Sequence, residues 1–333
     1  MKLVVIIPAY NEEKTIEQVI KEIPAQISGI EQVLVLVVDD GSEDRTGELA
    51  RNQGAIVIRH PENRGVGSAF ATGIKNALAL GADLIVNIDG DGQFDPKDIP
   101  KLLEPIFKGE ADFVTASRFK DKALIPKMPL VKKYGNFMVR SIINFLTGMK
   151  FSDVSCGFRA YTRETALKLN LFGSFTYTQE SFLNLVQKGI RIKEVPLRVK
   201  GERDFGESRV AKSVIRYGLK SGSIILLALR DLKPLTFFGW IGLIISLLGI
   251  SGIGFVFIHW LDTHRTSPYQ SLLLVGIMLL IVGFLLIILA LVADMLGRLR
   301  KTHEEILFII RDQYYRESEK KNKHLANKTS QQN

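Results

Sequence analysis

The sequence contains almost no cysteine, and two long stretches of it contain no charge at all. Cys156 is the only cysteine among 333 residues, which excludes an intramolecular disulfide and fits a reducing compartment. No Asp, Glu, Lys or Arg occurs in 235–258 or in 271–293. Each stretch exceeds the roughly 20 residues that an α-helix needs to cross about 30 Å of hydrocarbon. Buried core helices are rarely so apolar on every face, so we predict transmembrane helices at 234–258 and 271–293.

The N-terminal residues lack the features of a secretory signal peptide, because the first apolar run is short and ends at Pro8. Basic residues are concentrated outside the two apolar stretches, at Lys220, Arg230, Lys233, Arg298, Arg300 and Lys301. The connection at 259–270 carries Arg265 beside Asp262. The positive-inside rule therefore predicts an integral protein of the cell membrane, with a short external loop and with the first domain and both termini in the cytoplasm.

The formal net charge is +9, and a basic chain of this kind raises the question of nucleic acid. Anionic lipid head groups and a phosphate-bearing substrate explain the charge more simply, so we predict no nucleic-acid partner. In segment 208–232, basic residues recur every three or four positions with apolar residues between them. This pattern predicts amphipathic helices on the membrane surface; an ordinary surface helix is the alternative. The last segment, 294–333, is predicted to be an amphipathic cytoplasmic helix with a polar tail.

Strands and helices alternate through the first 207 residues. Short apolar runs typical of buried strands occupy 2–7, 32–38, 55–59 and 83–88, with helical spacing between them. This order predicts an α/β domain with a mostly parallel, doubly wound sheet. Polar clusters follow three of the strands, at 9–12, 39–42 and 89–93. Because ligands of such sheets bind beyond the carboxyl ends of the strands, we expect a site where these clusters meet.

The central motif is Asp-Gly-Asp-Gly-Gln at 89–93. Two carboxylates one residue apart, Asp89 and Asp91, can share a hard divalent cation with a substrate diphosphate. Gln93 adds a neutral oxygen, and Gly90 lets the backbone turn and a bulky nucleotide approach. A solvated turn is the alternative interpretation. The strand-end position favours the metal site.

The pair Asp39-Asp40 ends the second predicted strand. One carboxylate there could accept a hydrogen bond from a nucleobase, and the alternative is an N-cap for the helix near Asp44. The glycine-rich stretch 63–67 (NRGVG) is not G-x-G-x-x-G, and no G-x-x-x-x-G-K-[ST] motif occurs. A dinucleotide-binding Rossmann site and a P-loop NTPase are therefore not predicted.

Seven motifs stand in the order found in one known family. They are VVIIPAYNE at 4–12, VVDDGS at 37–42, NRGVG at 63–67, DGDGQ at 89–93, SR at 117–118, SCGFR at 155–159 and GESR at 206–209. Together they resemble family 2 glycosyltransferases, and most closely the dolichol-phosphate mannose synthase and polyprenyl-phosphate glucosyltransferase branch. The resemblance covers about residues 1–232, and the two predicted spans match a common architecture of that branch.

The resemblance implies a GT-A fold at 1–207, Mg²⁺ or Mn²⁺ as cofactor and a distribution of roles among the motif residues. Asp91, Arg118 and Glu180 would be catalytic. The nucleoside would be bound by Pro8, Tyr10, Glu12, Asp39, Asp40, Asp89 and Gly90. The cation on the diphosphate would be held by Asp89, Asp91 and Gln93. The diphosphate would be covered by Arg203 and Arg209. The acceptor phosphate would be held by Ser117, Arg118, Lys132 and Lys133.

The implied reaction is the inverting transfer of a hexose, mannose or glucose, from GDP-mannose or UDP-glucose to a polyprenyl or dolichyl phosphate. The acceptor phosphate is already anionic at neutral pH, so it can attack C1 of the sugar without a strong base. The barrier then depends on positioning and on neutralising the leaving diphosphate. Glu180 could orient the sugar hydroxyls or the acceptor, and the alternative is a carboxylate that stabilises a helix N-terminus.

Other functions remain open from the sequence. A processive polysaccharide synthase usually has Q-x-x-R-W, whereas 187–192 reads QKGIRI without tryptophan, and two spans cannot enclose a channel in one protomer. A non-catalytic scaffold that binds nucleotide-sugar would not need the intact Asp-Gly-Asp motif. Transfer to another lipid or glycan acceptor, and a homo-oligomer formed through the transmembrane helices, are not decided by the sequence.

Overall fold

The computed structural model describes the backbone of residues 1–126, 128, 130–170, 177–200 and 234–330, and their side chains except at 130–132 and 319–330. The chain divides into two compact units, 1–218 with 307–333 and 219–306. Segment 208–232, Arg203 and Arg209 lie outside the described residues, as does the side chain of Lys132, so the roles predicted for them stay predictions.

The described elements follow one another in a largely alternating order. The strands are β1 (Lys2–Ala9), β2 (Gln32–Asp39), β3 (Ile56–Arg59), β4 (Leu84–Asn87), β5 (Phe113–Ser117), β6 (Arg159–Thr162) and β7 (Ile192–Pro196). The helices are α1 (Ile16–Lys21), α2 (Thr46–Asn52), α3 (Val66–Ala79), α4 (Ile99–Phe107), α5 (Leu130–Thr147), α6 (Arg163–Lys168), α7 (Tyr177–Gln187), α8 (Pro234–Thr263) and α9 (Gln270–Ser330). Short 3₁₀ turns occupy Pro96–Asp98 and Lys122–Leu124.

The seven strands form one sheet in the order β3-β2-β1-β4-β6-β5-β7. All pairings are parallel except those of β6, which runs antiparallel to both β4 and β5. The prediction of a mostly parallel α/β sheet is therefore confirmed. The reversed strand has a consequence for the site. Arg159 opens β6 beside Asn87 and Thr115, so the residues that precede β6 lie at the same edge as the carboxyl ends of β4 and β5.

Alternating side chains of the sheet pack into two apolar cores, one on each face. Leu3, Val5 and Ile7 of β1 point into one core, which α1 and α4 also cover. Val4 and Ile6 point into the other core, which is shared with α3 and α7. Residues 3–7 are fully buried on both faces, as expected for the centre of a parallel sheet that has helices on each side. This burial fixes the strand ends that carry the polar clusters.

The part of α9 that follows Leu307 packs within the first unit. Phe308 and Tyr315 contact its apolar core. Arg311 donates hydrogen bonds to the carbonyl oxygens of Leu167 and Leu169, each at 3.2 Å. These carbonyls lie at the end of α6, where the helix itself supplies no donors. Arg311 therefore binds the end of α6 in the way that a capping residue does.

Two helices are long and apolar enough to cross a membrane, and their most apolar 18-residue windows have mean hydropathies of 2.5 in α8 and 3.4 in α9. Only 22% and 11% of their most apolar windows are buried, whereas the core helix of a soluble protein would be mostly buried. Their backbones approach closely where Gly249 faces the carbonyl of Gly276. The helices are longer than the predicted spans: α8 extends to Thr263, and α9 continues without a break beyond residue 293.

Candidate functional site

The loop after β1 is joined to the loop after β2 by hydrogen bonds. The N–H of Asn11 donates to Ser42 Oγ at 3.0 Å, and the N–H of Glu12 donates to Thr46 Oγ1 at 2.8 Å. Asn11 adopts a left-handed φ of 56°, a conformation that asparagine tolerates better than most residues. Among the predicted nucleoside contacts, Pro8 is buried in β1, and Tyr10 and Glu12 are half-buried in this loop.

Asp40 organises the neighbouring loop. Its carboxylate accepts hydrogen bonds from the N–H groups of Arg64, at 3.0 Å, and Gly65, at 2.8 Å. It also contacts His60 Nδ1 at 2.7 Å, and the other nitrogen of that ring lies 3.0 Å from Thr72 Oγ1. With these partners Asp40 holds the loop that follows β3. Its predicted contact with the nucleoside stays a prediction.

Asp39 has a different environment from Asp40. Its Oδ1 accepts the N–H of Ser42 at 2.8 Å. Its Oδ2 is buried and has no hydrogen-bond partner among the described residues, although Arg59 Nε lies 3.7 Å away. Helix α2 begins at Thr46, whose N–H donates to Asp44, so neither carboxylate of the pair caps that helix. A buried acceptor without a partner is uncommon, and the contact of Asp39 with the nucleoside stays a prediction.

The Asp-Gly-Asp motif follows β4 directly. Asp91 is buried, and its Oδ1 accepts the N–H of Gln93 at 3.1 Å. Thr15 Oγ1 donates to the carbonyl of Gly90 at 2.7 Å, which fastens the motif to the start of α1. Asp91 thus forms the turn that was the alternative interpretation, and Asp89 is half-buried at the strand end. A turn of this kind and a cation site are compatible, because the turn uses only Oδ1 of Asp91.

The donor set at this edge fits a cation shared with a ligand. Among the residues that the structure describes, no cluster of three or more His, Cys, Asp or Glu side chains could hold a metal alone. Mg²⁺ is commonly bound by one or two carboxylates together with substrate phosphates and water, and this matches Asp89 and Asp91. Gln93 also contacts Lys200. Its side-chain Nε2 donates to the main-chain carbonyl of Lys200 at 3.2 Å, and its main-chain carbonyl accepts the N–H of Lys200 at 3.0 Å.

The loop before β6 lies against Asp89. A Cβ placed on Gly157 would stand 2.6 Å from Asp89 Oδ2, so only glycine leaves room for the carboxylate. Asn87 Nδ2 donates to the carbonyl of Gly157 at 2.8 Å. Burial, followed by the charge of Asp89, raises the pKa of Tyr177 well above its ordinary value. Tyr177 therefore remains a neutral part of the wall beside the motif.

Arg118 is held in a buried ion pair. Its Nε and Nη2 lie 2.6 Å and 2.9 Å from the two oxygens of Asp153, and Nη2 also donates to Ser155 Oγ at 2.7 Å. Burial opposes the ionisation of Asp153, but the charge and hydrogen bonds of Arg118 outweigh it and lower the pKa of that carboxyl. Ser155 Oγ donates in turn to Asn136 Oδ1 on α5 at 2.8 Å. Glu194 accepts the N–H of Asp153 at 2.8 Å.

The ion pair with Asp153 reduces the positive charge that Arg118 can offer to an acceptor phosphate. Any phosphate bound there meets a guanidinium whose charge Asp153 already balances. Arg118 keeps 21% of its side chain exposed, while Asp153 is fully buried. Sequence reasoning missed Asp153, Asn136 and Glu194, because each is a polar residue outside the motifs quoted above.

The other predicted residues occupy different positions. Ser117 is fully buried at the end of β5, and its hydroxyl has no hydrogen-bond partner among the described residues. Lys133 is exposed on α5. Glu180 is half-buried in the first turn of α7. Burial and the charge of Asp153 raise the pKa of Cys156 to about 12, which excludes a role as a thiolate nucleophile at neutral pH.

One face of α5 carries large apolar side chains into solvent. Exposed residues on α5 and just after it are Tyr134, Phe137, Met138, Phe145 and Met149, with exposed fractions from 43% to 75%. They follow the spacing of one helical face. This spacing is visible in the sequence at 130–147 and could have identified a second amphipathic helix beside segment 208–232. Exposed aromatic residues in such a group mark a surface that contacts a partner or a membrane.

The sequence model of Glycosyl transferase family 2 matches residues 4–169. A UDP-N-acetylglucosamine–dolichyl-phosphate N-acetylglucosaminyltransferase from Methanococcus voltae is 35% identical over 214 residues, covering 58% of this chain and 83% of that protein. A polyprenol monophosphomannose synthase from Mycolicibacterium smegmatis is 28% identical over 225 residues, covering 65% of this chain and 83% of that protein.

Among solved structures, glucosyl-3-phosphoglycerate synthase from Mycobacterium tuberculosis, in complex with Mn²⁺, UDP and phosphoglyceric acid, superposes with a TM-score of 0.52 at 22% identity. The match covers 69% of this chain and 77% of that one. This likeness shows the GT-A type of fold. With 35% identity over most of the Methanococcus protein and the matching family model, the chain belongs to glycosyl transferase family 2.

Proposed function

We propose that this protein transfers a sugar, with inversion, from a nucleoside-diphosphate sugar to a polyprenyl phosphate at the cytoplasmic face of a membrane. The observation that carries the proposal is the convergence of three polar strand ends. The loops after β1 and β2 lie beside the Asp-Gly-Asp motif after β4, which the loop before β6 flanks. The printed names of the Methanococcus and Mycolicibacterium relatives, both of which concern polyprenyl-type phosphate acceptors, support it.

The donor is assigned to the β1–β2 side of this edge. Asp39 Oδ2, buried and without a hydrogen-bond partner among described residues, is suited to accept an N–H from the base. Uracil and guanine both carry such an N–H, so UDP-sugars and GDP-sugars remain candidates. A hexose, mannose or glucose, is our first choice, and the N-acetylhexosamine in the name of the 35%-identical relative adds a third candidate.

Asp89 and Asp91 would hold Mg²⁺ or Mn²⁺ against the diphosphate. A bound divalent cation supplies positive charge that stabilises the leaving nucleoside diphosphate. The protein's own contribution is orientation. Thr15 fixes the Gly90 carbonyl, and Gly157 closes one side of Asp89. In addition, Gln93 pairs with Lys200, which directly precedes the segment that contains Arg203 and Arg209.

The acceptor is assigned to the β5–β6 side. The phosphate would approach Arg118, and Lys133 lies exposed on the helix that is linked to Arg118 through Ser155 and Asn136. The exposed apolar face of α5 would contact the bilayer. A polyprenyl chain cannot leave the bilayer cheaply, at about 0.8 kcal/mol for each exposed CH₂ group. The site must therefore reach the membrane, and α5 offers it an apolar surface.

A panel of nucleotide-sugars tests the function directly. Membranes that contain the protein are incubated with radiolabelled UDP-glucose, UDP-N-acetylglucosamine and GDP-mannose plus undecaprenyl or dolichyl phosphate, and the lipid phase is extracted. The expected result is one labelled, acid-labile lipid with one preferred donor. Nucleotide-sugar binding without any lipid product would favour the non-catalytic scaffold. A labelled product that is not a lipid phosphate would indicate another acceptor.

A further inference from the structure

Arg159, the first residue of β6, is a fully buried arginine that has no role in the donor, cation or acceptor contacts described above. Its side chain is 0% exposed. No carboxylate in the described part of the chain forms an ion pair with it. Burying an unpaired charge is costly, so a residue of this kind needs a specific explanation.

The guanidinium contacts backbone carbonyls and aromatic rings, and its Nη1 is buried without a hydrogen-bond partner among the described residues. Nε donates to the carbonyl of Cys156 at 2.7 Å, and Nη2 donates to the carbonyl of Thr178 at 2.9 Å. Three rings surround its central carbon, with centroids 5.1 Å away for Phe182, 5.6 Å for Phe113 and 5.9 Å for Tyr177. Cation–π contacts of this kind partly replace the lost hydration.

The two carbonyls belong to two different segments of the chain. The carbonyl of Cys156 lies in the loop before β6, and the next residue, Gly157, lies against the carboxylate of Asp89. The carbonyl of Thr178 lies in the first turn of α7, two residues before Glu180. One planar, multiply donating group therefore joins the segment beside the cation ligand to the segment that carries Glu180.

We propose that Arg159 is a positioning residue for sugar transfer. It fixes the distance between the loop that flanks Asp89 and the helix that carries Glu180, without contacting substrate itself. The inference rests on the proposed function, because Asp89 and Glu180 have their roles only in that reaction. Arginine is required because its fork donates to two carbonyls in fixed directions, whereas the single ammonium of lysine is a point charge.

The chain contains a built-in reporter for this role. Cys156 is the only cysteine; it is 1% exposed, and its carbonyl is the acceptor for Arg159 Nε. If Arg159 holds this loop, its replacement loosens the loop and exposes the thiol. Alkylation of native protein by iodoacetamide then reports on the loop in the full chain, whether or not the protein is active.

The matched control is Arg163, at the other end of β6. It is half-buried and donates to the carbonyl of Ala82 at 3.4 Å, away from Asp89 and Glu180. Arg159→Lys, Arg159→Met and Arg163→Met are compared in the purified full-length protein. The measurements are the thermal midpoint, the rate of Cys156 alkylation at pH 8, the kcat and KM for both substrates, and the affinity for UDP and GDP with and without MnCl₂.

Arg159→Met should raise the alkylation rate at least tenfold, lower kcat about 100-fold and raise the donor KM about fivefold. The Mn²⁺-dependent part of nucleoside diphosphate affinity should fall at least fivefold, and the metal-free affinity should stay unchanged. Arg159→Lys should lie between wild type and Arg159→Met. Arg163→Met should lower the thermal midpoint to a similar extent, but should leave alkylation, kcat and nucleotide affinity near wild type.

Equal alkylation and equal kcat in Arg159→Met and Arg163→Met would overturn the proposal and leave Arg159 a stabilising residue only. Faster alkylation without any change in kcat or in Mn²⁺-dependent affinity would overturn it too, because the loop would then not matter to the site. If the wild-type protein makes no polyprenyl-linked sugar, the proposed function fails on its own. The alkylation and nucleotide-affinity results still decide whether Arg159 holds the loop that flanks Asp89.

Discussion

The donor side and the acceptor side of the site are built in different ways. On the donor side, side chains bind backbone N–H groups of neighbouring loops, as Ser42 binds Asn11 and Asp40 binds Gly65. On the acceptor side, side chains bind one another, in the series that joins Arg118 to Asp153 and Ser155. The proposed donor side is a set of cross-linked loops, and the proposed acceptor side is bordered by the exposed apolar face of α5.

This difference has an energetic meaning. A loop that is held through several backbone hydrogen bonds loses about 0.5–1.5 kcal/mol when one of them is removed. A buried ion pair that loses one partner leaves an uncompensated charge, at a cost of about 3–5 kcal/mol. We therefore expect donor-side changes to act mainly on binding and chemistry, and acceptor-side changes to act on stability as well.

The largest expected effect is the loss of transfer in Asp91→Asn. The substitution keeps the shape of the side chain and the hydrogen bond to the N–H of Gln93, but removes the negative charge proposed to hold the cation. A cation's stabilisation of the leaving group is worth several kcal/mol, so activity should fall about 10²–10³-fold. Radiolabelled transfer to lipid at saturating MnCl₂ measures the loss, and the thermal midpoint should change by no more than a few degrees.

Asp95→Asn is the matched control for this change. Asp95 lies four residues further on and is exposed, and its carboxylate accepts the N–H of Lys97. It should retain near-normal transfer. Near-normal activity of Asp91→Asn would contradict the proposal that Asp91 holds a cation on the donor side.

The second prediction concerns the acceptor side and tests the contrast directly. Arg118→Met should destabilise the fold by about 3–5 kcal/mol, because Asp153 is left buried and charged. It should also raise the KM for polyprenyl phosphate more than the KM for the donor. Chemical denaturation of the purified protein and steady-state kinetics measure the two effects separately.

The double variant Arg118→Met with Asp153→Asn separates stability from acceptor binding. It should recover most of the stability and keep the raised acceptor KM. The pKa of Asp153 is lowered in the fold, so the pair contributes fully above the carboxyl's usual pKa of about 3.9 and is lost as pH falls through the folded value. Recovery of a normal acceptor KM in the double variant would show that Arg118 does not bind the phosphate.

The same contrast explains what could be predicted from the sequence. The donor side follows from local patterns: β-branched runs end in polar clusters, and the order of strands and helices fixes where these clusters meet. The ends of the first four strands agree with prediction to within about two residues. The two transmembrane candidates also follow from composition alone.

The acceptor side depends on contacts that no local pattern reveals. Strand β6 has four residues and runs against its neighbours, so neither its length nor its period indicates that it lies between β4 and β5. Arg118 forms its ion pair with Asp153, which lies 35 residues further along the chain. The N–H of Asp153 in turn donates to Glu194 of β7. Such partners are set by tertiary structure, which overrides local propensity.

The third prediction tests whether the apolar face of α5 contacts lipid. Replacing both Phe137 and Phe145 by glutamine should lower transfer to long-chain polyprenyl phosphate in vesicles at least tenfold, since each phenylalanine buried in lipid contributes on the order of 1.5–3 kcal/mol and tenfold corresponds to about 1.4 kcal/mol. Transfer to a short, water-soluble acceptor should change less than twofold. The control is Phe107→Gln on α4, a phenylalanine that is also exposed. Equal losses with both acceptors would place the effect in the fold and not at the membrane.

The smallest effect is expected on the donor side, from Gly47→Ala. A Cβ at this position would stand 2.6 Å from Asp39 Oδ2, the oxygen proposed to accept the N–H of the nucleobase. Asp39 must then shift, and its hydrogen bond to the base should weaken by about 1 kcal/mol, which is roughly fivefold in affinity. Calorimetric titration with UDP or GDP measures this change. Gly54→Ala is the control, because its φ of +79° strains any side chain while nothing lies within 4 Å of the new Cβ. It should lower stability without changing nucleotide affinity, whereas equal affinities in both variants would remove Asp39 from the base site.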